Sequence, residues 1–175
     1  MDATGLLGPN CESEEEKLKL TKCTTLLVDY SKKVSILNAT DIKLNDTKLT
    51  GFITLCKKTM ICLEPTCLSE AVKDSIYVSC LSAEIKNTEF FSCVTKISEE
   101  KPDLSSYDCL KPEDYASGVI ETSVLESKPE CLKTVLEGFC GEEAANNFDE
   151  NVSKLLSVSM LAVEIKARLN GTSTE

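Results

Sequence analysis

The stretch Cys56-Lys-Lys-Thr-Met-Ile-Cys62-Leu-Glu-Pro65-Thr-Cys67 carries three cysteines within one short segment. Its reading fixes how the remainder of the chain is organised. Leu49, Phe52, Ile53, Cys56, Met60 and Leu63 recur at spacings of three and four and fill a stripe about 100° wide on a helix. That helix must end before Pro65, because the residue preceding a proline is pushed out of helical geometry. On it, Cys56 and Cys62 are separated by about 9 Å along the axis and roughly 240° around it. A disulfide needs its Cα atoms within about 7 Å. These two cysteines therefore need partners on other elements, which predicts helices stapled to one another.

The rest of the cysteines agree with that reading. The chain has ten in 175 residues: Cys11, Cys23, Cys56, Cys62, Cys67, Cys80, Cys93, Cys109, Cys131 and Cys140. No two are separated by only two residues, and the chain has no histidine. The usual zinc and C-x-x-C redox patterns therefore lack their ligands or their spacing. An even set of cysteines with neither duty points to five disulfides in an oxidising, extracellular compartment. Ten cysteines allow on the order of a thousand pairings, and the sequence does not choose among them. Four N-x-[S/T] sequons, at Asn38, Asn45, Asn151 and Asn170, add candidate glycan sites. Asn38 and Asn45 fall in a polar stretch and are the better candidates.

Outward from the opening stretch the period stays helical. Ser13-x-x-Glu16 forms a capping-box signature, followed by Leu20, Cys23, Leu27, Tyr30 and Val34 on one face. This predicts a helix over 13–34. Two shorter helices are expected over 71–85 and 89–97, the latter with Phe90, Cys93, Val94 and Ile97 on one side. Residues 103–127 are the least legible, and 119–124 fit a strand or a helix. Ser127-Lys-Pro-Glu130 repeats the capping box, with Pro129 in the first turn where its missing N–H does no harm. Leu132, Val135, Leu136 and Phe139 then form a stripe. A last helix is expected over 142–169, with Glu142 and Glu143 at its start and Lys166 and Arg168 near its end, as the helix dipole favours. Its segment Leu155–Ile165 is apolar on nearly every side. It reads as a central helix covered by the others, or as one wall of a lipid pocket or partner surface.

Composition excludes several functions. Without histidine, Ser-His-Asp and Cys-His catalytic arrangements are ruled out, as is a His-Asp phospholipase. The 29 acidic residues guarantee chance carboxylate pairs, so such pairs say little about glycoside chemistry. Asn147-Phe-Asp-Glu150 lacks the order of a calcium loop. A net charge of −10 opposes nucleic acid and anionic headgroups. No stretch reaches the roughly 20 apolar residues of a membrane span. Met1–Asn10 has neither a basic n-region nor an apolar h-region. The expectation is therefore a mature secreted chain with a start methionine and a polar tail lacking a lipid-anchor signal.

A family resemblance sharpens this. Cys11-Glu-Ser-Glu-Glu-Glu, Cys23-Thr-Thr-Leu-Leu, the Cys56-x5-Cys62-Leu-x3-Cys67 cluster, Phe90-Phe-Ser-Cys93 and Glu130-Cys-Leu-Lys-x6-Cys140-Gly-Glu-Glu with nearby Phe148 resemble the nematode cysteine-rich secreted domain catalogued as domain of unknown function number nineteen. The similarity runs from about Cys11 to Val163 and fits least over 103–127. It implies a secreted, helix-rich, disulfide-bonded fold and brings no catalytic residues.

The expected architecture is all-α: a disulfide-stapled helical bundle of five to six helices. Residues 1–10 form a flexible lead-in, 11–169 a single cysteine-rich domain and 170–175 a flexible tail. The expected function is that of an extracellular binding protein, with an extracellular protein as partner, no catalytic residue, no metal and no cofactor. The alternative is a carrier of a small hydrophobic ligand such as a lipid. Nothing in the sequence assigns the ligand-binding residues.

Overall fold

The computed structural model describes residues 7–8, 11–39, 43–114 and 122–169. In chain order it contains α1 (Glu14–Ala39), α2 (Thr47–Leu63), α3 (Glu70–Lys86), α4 (Glu89–Glu100), a 3₁₀ turn (Pro112–Asp114), α5 (Thr122–Ser127), α6 (Pro129–Cys140), α7 (Glu142–Ala145) and α8 (Phe148–Leu169). The fold is all-α. Six of these helices are long, while α5 and α7 span six and four residues. Among the described residues no strand forms. An isolated bridge pairs Leu7 with Leu68. The chain divides into two compact units, Met1–Glu84 with Val158–Glu175, and Ile85–Ser157.

The first unit is built on an antiparallel pair, α1 and α2. The Glu16 N–H donates to Ser13 Oγ at 3.2 Å, so the serine of the capping signature does satisfy an orphan donor of α1. Asp46 caps α2 by accepting the Lys48 N–H at 2.7 Å. Leu20, Cys23, Leu27, Tyr30 and Val34 of α1 pack on Leu49, Phe52, Ile53, Cys56, Met60 and Leu63 of α2, along with Ile76, Cys80 and Ala83 of α3. The Tyr30 and Phe52 rings lie 5.5 Å apart. Three disulfides run through or beside this core: Cys11–Cys67, Cys23–Cys62 and Cys56–Cys80. Within the N-terminal segment expected to be flexible, Gly8 is held, its N–H donating to Cys67 O at 2.8 Å. A Cβ on Gly8 would come within 3.0 Å of that oxygen. Residues 1–6, 9 and 10, and the expected tail 170–175, lie outside the described residues.

The second unit packs α4 through α7 and the start of α8 around Phe90 and Phe148, whose rings meet edge-to-face at 5.7 Å and 83°, a favoured aromatic geometry. Leu132, Val135 and Leu136 of α6 fill the centre. Thr88 caps α4 by accepting the Phe91 N–H at 3.1 Å. Cys93–Cys140 ties α4 to the end of α6, and Cys109–Cys131 ties the preceding loop to its start. Gly138 sits under the Tyr107 ring, and a Cβ there would fall 2.5 Å from Tyr107 Oη. A larger residue there would have to push the end of the Tyr107 side chain aside.

Three expectations need correcting, and one open alternative is partly decided. The Ser127 capping box does not form. Ser127 ends α5, and its hydroxyl donates to Ser123 O at 2.8 Å. Lys128 occupies the cap position of α6 without a side-chain bond, and Pro129 follows in the first turn. Of the 119–124 stretch, residues 122–124 are helical, and 119–121 lie outside the described residues. The last helix is interrupted. Asn146 is extended, and Asn147 adopts φ 55°, a left-handed conformation that asparagine tolerates better than most side chains. The ladder restarts where the Asn151 N–H donates to Asn147 O at 2.9 Å. Finally, the Leu155–Ile165 segment is not covered all round. Met160 and Val163 are 66% and 70% exposed, whereas Ile165 is buried. One face of α8 suffices, because α1, α2 and α3 already enclose the core of the first unit.

Candidate functional site

In the first unit the end of α2 and the first half of α3 are held by covalent bonds on three sides. Cys62 is tied to Cys23 on α1, Cys67 to Cys11, and Cys56 of α2 to Cys80 of α3. The turn between the helices, which holds Pro65, is closed by the Thr66 hydroxyl donating to Leu63 O at 2.7 Å. Such cross-links remove freedom that a surface loop would otherwise keep. Beside this turn lies an open hollow of about 400 Å³.

Its lining follows from helix periodicity. Glu70, Lys73, Asp74 and Tyr77 stand one turn apart on α3, facing Met60, Leu63 and Glu64 of α2. Half-buried Met60 supplies apolar surface over the fully buried Leu63, and Tyr77 supplies an exposed ring at the rim. Three carboxylates stand there against a single ammonium. That ammonium is committed: Lys73 Nζ donates to Glu64 O at 3.3 Å and to Glu70 Oε1 at 3.1 Å, with its side chain only 15% exposed. Arg168, from the last turn of α8, donates to Asp74 Oδ2 at 2.8 Å and lies 3.4 Å from Glu164. Counting Arg168, three carboxylates face two cations, so the hollow combines apolar surface with a small net negative charge on a disulfide-linked frame. Among the described residues no three acidic or sulfur side chains converge as metal ligands would.

Two ionisable groups elsewhere brace the units. Burial against Phe52 pushes the Tyr30 phenol above its ordinary value, partly countered by the Ser79 hydroxyl. In the second unit, the Lys111 N–H, at 2.7 Å, and the Lys128 ammonium both favour the ionised carboxylate of Asp114 and hold its pKa below the usual range.

The structure pairs all ten cysteines and leaves none free. Each disulfide joins two cysteines of the same unit. Of the sequon asparagines, Asn45 is exposed in the turn before α2, and Asn151 is buried in α8. Asn38 lies in the last turn of α1 with its side chain outside the described residues, and Asn170 lies outside them altogether. The hollow was not visible in the sequence. Glu70-x2-Lys73-Asp74-x2-Tyr77 at helical spacing reads as an ordinary solvated face, and the Cys56–Cys80 link, the shared core and the Lys73–Glu64 bond together place it opposite Met60.

A family model described as a domain of unknown function (DUF19) matches residues 11–160. The chain belongs to this family. The DUF19 match takes in all ten cysteines and every residue lining the hollow, while Arg168, which holds Asp74, lies beyond it. No curated protein and no solved structure matches the chain.

Proposed function

We propose that this DUF19 chain is a secreted, non-catalytic binding protein. In this reading, the hollow between α2 and α3 receives a basic, partly apolar segment of an extracellular protein. One observation carries it: Met60 and Tyr77 offer apolar contact beside Glu64, Glu70 and Asp74, of which Glu70 and Asp74 also pair with Lys73 and Arg168. A Lys or Arg side chain suits such a place, its stem lying on the apolar surface and its charge meeting the carboxylates. The disulfides around the hollow limit the freedom lost on binding, which favours affinity. Five disulfides favour an oxidising compartment, and no described helix is long and apolar enough to cross a membrane. A lipid carrier is the weaker reading, because an open, carboxylate-rimmed hollow suits a charged ligand better than an apolar one.

A displayed library of short random peptides, selected on the oxidised protein, tests this. The reading expects binders rich in Lys or Arg beside apolar residues. It also expects Glu64→Lys and Tyr77→Ser each to weaken them about tenfold, equivalent to about 1.4 kcal/mol. Acidic binders, or binders indifferent to both substitutions, would remove the hollow as the binding face.

A further inference from the structure

The four sequons are alike in sequence and differ in what the fold does with them. Asn45 occupies the two-residue turn that leads into α2, with φ 60° and its side chain exposed. Thr47, the third residue of its sequon, is the exposed first residue of α2. Asp46, between them, turns its carboxylate onto the Lys48 N–H. Asn151 is the opposite case. It is 5% exposed, on the first turns of α8, between Phe148 and Val152 of the second core. An oligosaccharide on its amide nitrogen has no room while that core is closed, since interiors are packed without voids of such size.

We infer that Asn45 carries an N-linked glycan and that Asn151 in the folded protein does not. In the transfer, Asn45 Nδ2 forms a bond to the anomeric carbon of a lipid-diphosphate-linked oligosaccharide. The anomeric carbon–oxygen bond breaks, the lipid diphosphate leaves with that electron pair, and the amide proton passes to a base of the transferase. The donor and the transferase are those of a eukaryotic secretory compartment, so this inference rests on the secreted reading above. Placement matters for binding as well. Asn45 precedes the N-terminus of α2, whereas Met60, Leu63 and Glu64 lie at its C-terminal end, about 20 Å along the same helix axis. A glycan at Asn45 would therefore leave the hollow open.

The test expresses the full chain behind a secretory signal in eukaryotic cells. The purified protein is treated with peptide-N-glycosidase in oxygen-18 water and digested with trypsin. Lys43 separates the Asn38 and Asn45 peptides, and each released site gains about 3 Da as its Asn becomes Asp. The expected result is a marked Asn45 peptide and an unmarked Asn151 peptide. Asn45→Gln and Thr47→Ala should each lose that mark. The second variant keeps the left-handed Asn45 in place, so a misfolded first variant cannot decide the matter. An unmarked Asn45, or a marked Asn151, in protein that gains about 10 Da on reduction would overturn the inference and leave the secreted reading intact. Protein recovered with ten free thiols would overturn both.

Discussion

Cystine plays different parts in the two units. In the first, Cys11, Cys23, Cys56, Cys67 and Cys80 are buried, and Cys23, Cys56 and Cys80 are core residues like any leucine. In the second, Cys93 is buried, Cys109 is exposed, and Cys131 and Cys140 lie at the edge of a core made of phenylalanine, leucine and valine. The contrast separates two effects that usually come together. A disulfide lowers the entropy of the unfolded chain wherever it sits, but it fills space only where it is buried.

Two of the bonds almost isolate that distinction. Cys56–Cys80 closes a separation of 24 residues and Cys109–Cys131 one of 22. The entropic contribution is about 3 kcal/mol for each. Replacing each pair by alanine should therefore destabilise both, with Cys56→Ala/Cys80→Ala worse by about 1–2 kcal/mol because it also leaves a cavity. Denaturant unfolding measures the difference. Equal losses would show that the buried sulfurs add nothing beyond the covalent link.

The next test compares the two aromatic centres. Phe52→Ala and Phe90→Ala each remove a fully buried ring and should cost about 3–5 kcal/mol. The outcome should differ even if the cost is the same. Three disulfides still restrain the first unit after the loss, whereas the second depends more heavily on packing. Hydrogen exchange read by mass spectrometry should show residues 85–157 opening in Phe90→Ala, with residues 14–84 still protected in Phe52→Ala. The reverse pattern would break the comparison.

The smallest expected effect is in pH. The Tyr30 phenol is raised above 10.0 in the fold. The stability it contributes is complete below the unfolded value and is lost as pH rises through the folded one. Asp114 is lowered below 3.8, so its contribution is present above the unfolded value and is lost as pH falls through the folded one. The first unit should thus weaken in alkali and the second in acid. In denaturant midpoints measured against pH, Tyr30→Phe should flatten the alkaline limb and Asp114→Asn the acid limb. A limb left unchanged by its substitution would place the responsible group elsewhere.

Helical periodicity made much of this fold legible. The stripe from Leu20 to Val34, the stripe from Leu49 to Leu63 and the Phe90–Cys93–Ile97 face are the buried faces of α1, α2 and α4. Local pattern failed where the outcome depends on residues far apart. Ser127 has the spacing of a cap, but α5 takes it first. Asn146-Asn147 lies between helix-forming segments and carries no glycine or proline to mark a break. The apolar run at Leu155–Ile165 says what could be buried without saying what arrives to bury it. The hollow was illegible for the same reason, since its two walls belong to different helices joined by a bond the sequence does not specify.

Because every disulfide stays within its own unit, bond formation can follow synthesis from the N-terminus. Cys11, Cys23, Cys56, Cys62, Cys67 and Cys80 all precede residue 85, and their partners are one another. If the chain is secreted as proposed, they can be oxidised before the last four cysteines enter the oxidising compartment. That order cuts the pairings to be sorted from on the order of a thousand to a few dozen. A nascent chain built this way relies less on isomerases to undo wrong bonds. Slowing translation at the stage when Cys80 has emerged into that compartment and Cys93 has not should raise the yield of correctly paired protein.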